Sequence, residues 1–133
     1  MQAIENKIIS RIYGRGRGWA FSKTDFIVEF GEVNIHKALS TLENRGRIRR
    51  VMRGIYDYPS YSELLQQPLS PDLDQVAHAL ARKFNWSICP AGQAALNLLG
   101  LSTQVPASWV YLSNGPDREY QLGKHKLVFK RTA

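Results

Sequence analysis

Arg47, Arg49, Arg50 and Arg53 fall within seven residues of one another. A guanidinium offers five donors in a planar fork, a shape suited to phosphate oxygens. Two more arginines, Arg15 and Arg17, stand in the run Gly14-Arg15-Gly16-Arg17-Gly18. Between the two groups lies Asn34-Ile-His-Lys-Ala-Leu-Ser-Thr-Leu-Glu-Asn-Arg45. Its apolar positions Ile35, Ala38, Leu39 and Leu42 recur at i, i+3, i+4 and i+7, so they form one face of a helix. The opposite face keeps Asn34, His36, Lys37, Ser40, Thr41 and Asn44, with Arg45 at its end. Asn pairs bidentately with adenine, Lys reaches guanine, and Ser or Thr serves either. A merely solvated helix would more often carry Glu/Lys pairs, and this face has Lys37 alone, with Glu43 near its end. These residue types point to base reading by one helix, flanked by phosphate-gripping arginines.

Other chemistries find weaker support. His36, His78, His125 and Cys89 are scattered without metal-ligand spacing, so no metal or cofactor is expected. Asp72 and Asp74 could act as metal-binding carboxylates in a nuclease-like enzyme. Such a pair at a helix start is more often a cap plus a favourable dipole charge. Ser102 has no evident His or Asp partner. The Gly14–Gly18 run follows a helix rather than a strand, and its glycine spacing is wrong for a dinucleotide loop. Two arginines are too few for an RNA-binding Arg-Gly tract. No catalytic residues are assigned.

The elements that must position these residues follow from periodicity. Ile4, Ile8, Ile9 and Ile12 predict a first helix that stops at Gly14. Trp19-Ala-Phe21 is short and apolar. Ser22 reads as the N-cap of a second short helix, with Asp25 three residues on and Phe26, Ile27 and Phe30 as its inner side. Gly31 closes it. Asn34 caps the third helix, which ends at Gly46. Two β-prone runs, 47–52 and 55–58, then surround Arg53-Gly54 and read as a hairpin. Ile48, Val51 and Ile55 anchor that hairpin and its arginines project outward. Three helices and a hairpin, with a short turn between the second and third helices, spell a winged helix-turn-helix over residues 1–60.

Residues 60–71 are polar and flanked by Pro59, Pro68 and Pro71, as a linker would be. Asp72 caps another helix whose stripe is Leu73, Val76, Ala77, Leu80, Ala81 and Phe84. Trp86–Cys89 is strand-like. Pro90 suits the first turn of a helix running through Ala94–Leu99 to Gly100. Strand-like runs follow at 109–112, 118–122 and 126–129. Trp86, Trp109, Tyr111 and Phe129 read as core. The second half, residues 61–133, is thus a small α+β domain, and the whole chain is α+β.

Bulk properties agree. The 133 residues are 44% hydrophobic and 22% charged, near the averages for a folded soluble domain. The net charge of +7 is uneven: residues 1–60 hold 11 Lys+Arg against 6 Asp+Glu, and residues 61–133 hold 7 against 5. A polyanion partner is expected for the first half. Cys89 is the single cysteine, so no intrachain disulfide forms, which suits a reducing cytoplasm. No apolar run approaches the roughly 18–20 residues of a membrane helix, and the N-terminus lacks a signal-peptide core.

Three segments carry a family resemblance. Arg53-Gly-Ile-Tyr-Asp-Tyr-Pro59, Ala91-Gly-Gln-Ala-Ala-Leu-Asn-Leu-Leu-Gly-Leu-Ser-Thr-Gln-Val-Pro106 and Tyr111-Leu-Ser-Asn-Gly-Pro-Asp-Arg118 resemble AbiEi-type proteins. Those are transcriptional regulators and antitoxins of type IV, abortive-infection toxin–antitoxin systems. The resemblance covers nearly the whole chain and implies a winged helix that binds and represses the promoter of its own operon. It also implies a second domain tied to counteracting a nucleotidyltransferase-like toxin. The DNA-contacting elements of that family correspond to Asn34–Arg45 and Arg47–Tyr56. Members usually continue with further helices where this sequence ends at Ala133, so the second domain is expected to be a shortened one. The expected function is therefore a duplex-DNA-binding repressor and antitoxin without enzymatic activity. The rivals are a protein-interaction module built on the same scaffold and, last, a nucleic-acid enzyme using Asp72 and Asp74.

Overall fold

The computed structural model describes residues 2–101 and 108–132, so the Ser102–Pro106 end of the second family-like segment lies outside the described residues. The chain is α+β and forms two compact units, Met1–Lys83 and Phe84–Ala133. The break falls later than a 60/61 boundary would put it.

The first unit runs α1 (Gln2–Arg15), β1 (Ala20–Phe21), α2 (Thr24–Phe30), α3 (Glu32–Asn44), β2 (Arg49–Met52) and β3 (Ile55–Asp57). A small hairpin, β4 (Tyr61–Ser62) and β5 (Gln67–Pro68), and then α4 (Leu73–Phe84) follow. Strands β1, β3 and β2 form an antiparallel sheet in that order. Ile8, Ile12, Phe21, Phe26, Ile35, Ala38, Leu39, Leu42, Ile48 and Tyr56 make its core. Ile8 and Ile12 are one turn apart on α1 and fully buried, each contributing about 2 kcal/mol by burial. This is the apolar periodicity of the sequence made solid.

Several boundaries differ from expectation, each for a local reason. Lys23, not Ser22, holds the cap position of α2; the Ser22 hydroxyl makes no capping bond, and Ser22 N–H donates to Asp25 at 3.0 Å. Helix α1 continues through Gly14 to Arg15 and turns only at Gly16, whose φ of 93° few other residues adopt. Helix α3 begins at Glu32, not Asn34, because Gly31 (φ 84°, ψ 152°) ends α2 and starts α3 by itself. The 60–71 segment is a hairpin with a four-residue turn ending at Gln66 (φ 56°), and Leu69 N–H bonds the Ser60 carbonyl.

The far end of α3 matches expectation closely. Arg47 N–H reaches the Leu42 carbonyl and Gly46 N–H the Glu43 carbonyl, the paired bonds of a glycine-terminated helix. Asp72 caps α4 as read from sequence, accepting from Asp74 N–H at 3.0 Å and Gln75 N–H at 3.3 Å. Helix α4 belongs with the first unit through Arg82, which bonds Asp25 at 2.7 Å and the Ala20 carbonyl at 2.8 Å. Leu73, Val76, Ala77, Ala79, Leu80 and Ala81 are buried, whereas Phe84 is half exposed.

The second unit comprises β6 (Ile88–Ala91), α5 (Gly92–Leu98), β7 (Ser108–Ser113), β8 (Arg118–Leu122) and β9 (His125–Arg131). Its sheet order is β6-β7-β9-β8. Pro90 lies in β6 rather than in a helix. An edge strand accepts a proline because one side of its backbone makes no ladder bonds. Strand β9 returns between β7 and β8, parallel to β7 and antiparallel to β8. Tyr111, Leu127 and Phe129 are fully buried, and Phe129 gathers Tyr111, Trp86 and Tyr120 around its ring.

Gly115 closes the β7–β8 connection against the Trp86 indole, and a Cβ there would collide with three of the ring atoms. Because a rigid indole cannot give way as a flexible chain end does, Gly115→Ala is expected to destabilise the fold by about 1–3 kcal/mol. Urea unfolding of the variant against the parent measures it, and an unchanged midpoint would contradict this packing.

Candidate nucleic-acid interface

The sequence of α3 sorts its own side chains. Ile35, Ala38, Leu39 and Leu42 are buried, and Asn34, His36, Lys37, Ser40 and Asn44 are exposed, with Thr41 partly so. Two of these polar groups are partly used by backbone carbonyls, one at the end of α2 and one within α3. The Asn34 amide donates to the Phe30 carbonyl at 3.1 Å, and the Thr41 hydroxyl donates to the Lys37 carbonyl at 2.9 Å. Asn34 retains its carbonyl oxygen and one N–H, and Thr41 retains its acceptor pairs. Lys37 makes no ion pair among the described residues.

Val33 joins the same outer face at 68% exposure. It escapes a sequence reading because it precedes Asn34, where the helix is expected to start. Val28 of α2 is also fully open to solvent. An exposed apolar side chain of this kind has the chemistry for contact with a thymine methyl, were the face to meet DNA.

The arginines divide into distinct environments. Arg53 and Gly54 form the two-residue tip of the β2–β3 hairpin, with Met52 opposite Ile55. Arg47 and Arg53 are exposed and have no ion pair among the described residues. Arg50 lies over the Tyr56 ring at 5.7 Å and donates to its hydroxyl at 3.5 Å. That hydrogen bond raises the Arg50 pKa above its ordinary value, helped by the charge of Tyr56 and of Glu43. Arg45 donates to the buried Glu5 of α1 at 3.4 Å, so it ties α3 to α1 while its own side chain stays largely exposed.

Arg49 departs from expectation. Strand alternation predicts that it projects outward, yet its Nε and Nη2 grip both oxygens of Asp57 at 3.0 and 2.7 Å. Its Nη1 donates to the Leu69 carbonyl at 2.9 Å. The antiparallel register sets Arg49 opposite Asp57, and Asp57 is 1% exposed. A buried carboxylate needs a paired cation, so Arg49 is held within the fold and leaves the phosphate-gripping set.

Arg15 and Arg17 lie at the base of the hairpin, not its tip. Arg17 stacks on Tyr58 at 4.9 Å and donates to the Pro59 carbonyl at 3.1 Å. Arg15 stacks on Trp19 at 5.3 Å. Lys83 adds a cation at the tip, because its amine packs against Gly54 where a Cβ would clash. Burial depresses the Lys83 pKa, and the positive charges of Lys23 and Arg53 depress it further. Arg53 and Lys83, from two chain segments, bring their charges together at the tip, a pairing that linear spacing cannot announce.

The carboxylates considered for metal chemistry are engaged otherwise. Asp72 caps α4, and Asp74 approaches His78 at 3.5 Å one turn on. Among the described residues no three His, Cys, Asp or Glu side chains cluster as a metal site. No described helix is long and apolar enough to cross a membrane.

No curated protein and no solved structure matches this sequence. Residues 7–133, nearly the entire chain, match DUF6088, a family of unknown function. The chain belongs to the DUF6088 family.

Proposed function

We propose that the chain is a sequence-specific duplex-DNA-binding transcriptional regulator that acts through a winged helix-turn-helix and is not an enzyme. One observation carries this reading: the exposed face of α3 is built of short polar side chains and lies in the same unit as a hairpin whose tip is cationic. In this reading α3 enters the major groove, where Asn34, His36, Lys37, Ser40 and Asn44 meet base edges. Arg47, Arg50, Arg53 and Lys83 then grip backbone phosphates or reach a minor groove. The order α1-β1-α2-α3-β2-β3 and the sheet order β1-β3-β2 support a winged-helix assignment.

The AbiEi-type resemblance extends the reading. The protein then represses the promoter of its own operon as the antitoxin of a type IV, abortive-infection system. Its second unit serves the functional link to a nucleotidyltransferase-like toxin, and the site of action is the cytoplasm.

Salt dependence tests the assignment of the hairpin. Replacing Arg47 and Arg53 with alanine is expected to weaken native and shuffled duplexes alike. The slope of log affinity against log salt should flatten by up to about 0.9 for each phosphate that is no longer neutralised. Arg49→Ala should leave that slope nearly unchanged. An unchanged slope in the double variant would remove the hairpin from the interface.

A further inference from the structure

A second cationic feature lies in the first unit, away from the hairpin tip. It is a cleft of about 160 Å³ lined by Arg11, Arg15, Trp19, Asp25, Phe26 and Arg82. Arg11 and Arg15 are four residues apart on α1 and so share a face. Asp25 and Phe26 come from α2 and Arg82 from α4.

The guanidiniums are partly preset. Arg82 is fixed through Nε and Nη2 by the two Asp25 oxygens and the Ala20 carbonyl. Its flat face lies 5.8 Å from the Trp19 ring centre, and that of Arg15 lies 5.3 Å from the same ring. Arg15 has no hydrogen bond or ion pair among the described residues, so its donors face solvent or the cleft. Arg11 is bridged to Glu29, which does not line the cleft. Glu29 pairs with Arg11 and Asp25 with Arg82, so three guanidiniums and two carboxylates leave a charge of +1, and Arg15 is the lining cation without an ion pair among the described residues.

An array of this kind calls for an anion. A carboxylate has two oxygens and satisfies one fork. A phosphate presents more acceptor oxygens, which suits N–H groups offered by more than one guanidinium around one small space. We propose that the cleft between α1, α2 and α4 is a phosphate-binding site, with Arg15 as the principal donor and the Arg82 Nη1 and the remaining N–H groups of Arg11 beside it. Inorganic phosphate or a phosphomonoester presents this chemistry. A backbone phosphodiester of bound DNA shares the chemistry and is the other possible source. The cleft includes neither α3 nor the hairpin tip, and it meets the DNA-binding reading only at Arg15, so the two can fail separately.

The test is a titration of the full chain in phosphate-free buffer followed by two-dimensional proton–nitrogen NMR. The chain has three indole N–H signals, from Trp19, Trp86 and Trp109, and Trp19→Phe assigns the one in the cleft. Inorganic phosphate should shift the Trp19 signal saturably while Trp86 and Trp109 stay still, and chloride at equal ionic strength should not. Arg15→Gln should weaken that binding by about 10-fold or more, as expected when a charge-assisted hydrogen bond is removed. Should that variant fail to fold, Arg15→Lys keeps the charge, loses the fork and should show a smaller loss. A short duplex forms the second arm. A saturable Trp19 shift with duplex alone, abolished in Arg15→Gln, would assign the site to a DNA phosphate. No saturable shift in either arm, or equal binding by Arg15→Gln, would overturn the proposal.

Discussion

Asp57→Ala is expected to cost about 3 kcal/mol of stability, a large effect for one surface-sized side chain. The carboxylate is 1% exposed and sits on the central strand β3. Both of its oxygens accept from Arg49. Removing one partner of a buried pair leaves the other charge uncompensated, at a cost of about 3–5 kcal/mol. The lower end applies because the Arg49 side chain is 30% exposed and regains some hydration. For a small domain a loss of this size is a large share of the total stability. Arg49→Ala should be nearly as damaging, because Asp57 then stays buried without a cation and the Leu69 carbonyl loses its donor. A double replacement of both by apolar residues should cost much less than either single change. Chemical unfolding of the three variants measures this. Single variants within about 0.5 kcal/mol of the parent would show that the pair is not held as described.

Lys37→Ala is expected to act on recognition instead of folding. Lys37 lies mid-helix on the exposed face of α3 and holds no ion pair among the described residues. Alanine is the better helix former, so the melting temperature should not fall. If the ammonium meets a guanine edge, its removal costs about 1–3 kcal/mol on the native site, roughly 5- to 150-fold in affinity. Binding to random duplex should change far less. Lys37→Arg, which also reaches guanine, should recover part of the preference. Equal losses on native and random DNA would instead mark Lys37 as a phosphate-binding residue.

Much of the first unit is readable from periodicity, because the buried side of α3 repeats at helical spacing and its polar side is what remains. Its start is not. Asn34 has the chemistry of an N-cap, but its amide reaches back to Phe30 from inside a helix that Gly31 already opens. That misplacement hides Val33. Arg49 is unreadable for a different reason. Alternation in a strand says which face a residue takes, whereas the register that sets Arg49 opposite Asp57 is a tertiary fact. Lys83 reaches the hairpin tip from about thirty residues away in sequence, so no local pattern marks it.

In the second unit, strands are legible but their pairing is not. Strand β9 lies between β7 and β8, where consecutive strands would more often pair with each other. Pro90 suggests a helix start because prolines favour the first turn, and only the edge position of β6 explains its place in a strand.

The central claim is that α3 reads sequence, and fluorescence anisotropy at about 150 mM salt tests it most directly. The probes are the DNA upstream of the gene and a shuffled duplex of equal length. Preference for the native sequence by about 10³-fold or more is the predicted result. Equal, weak binding to both duplexes that vanishes as salt rises would contradict it, reducing the basic surface to a nonspecific electrostatic patch.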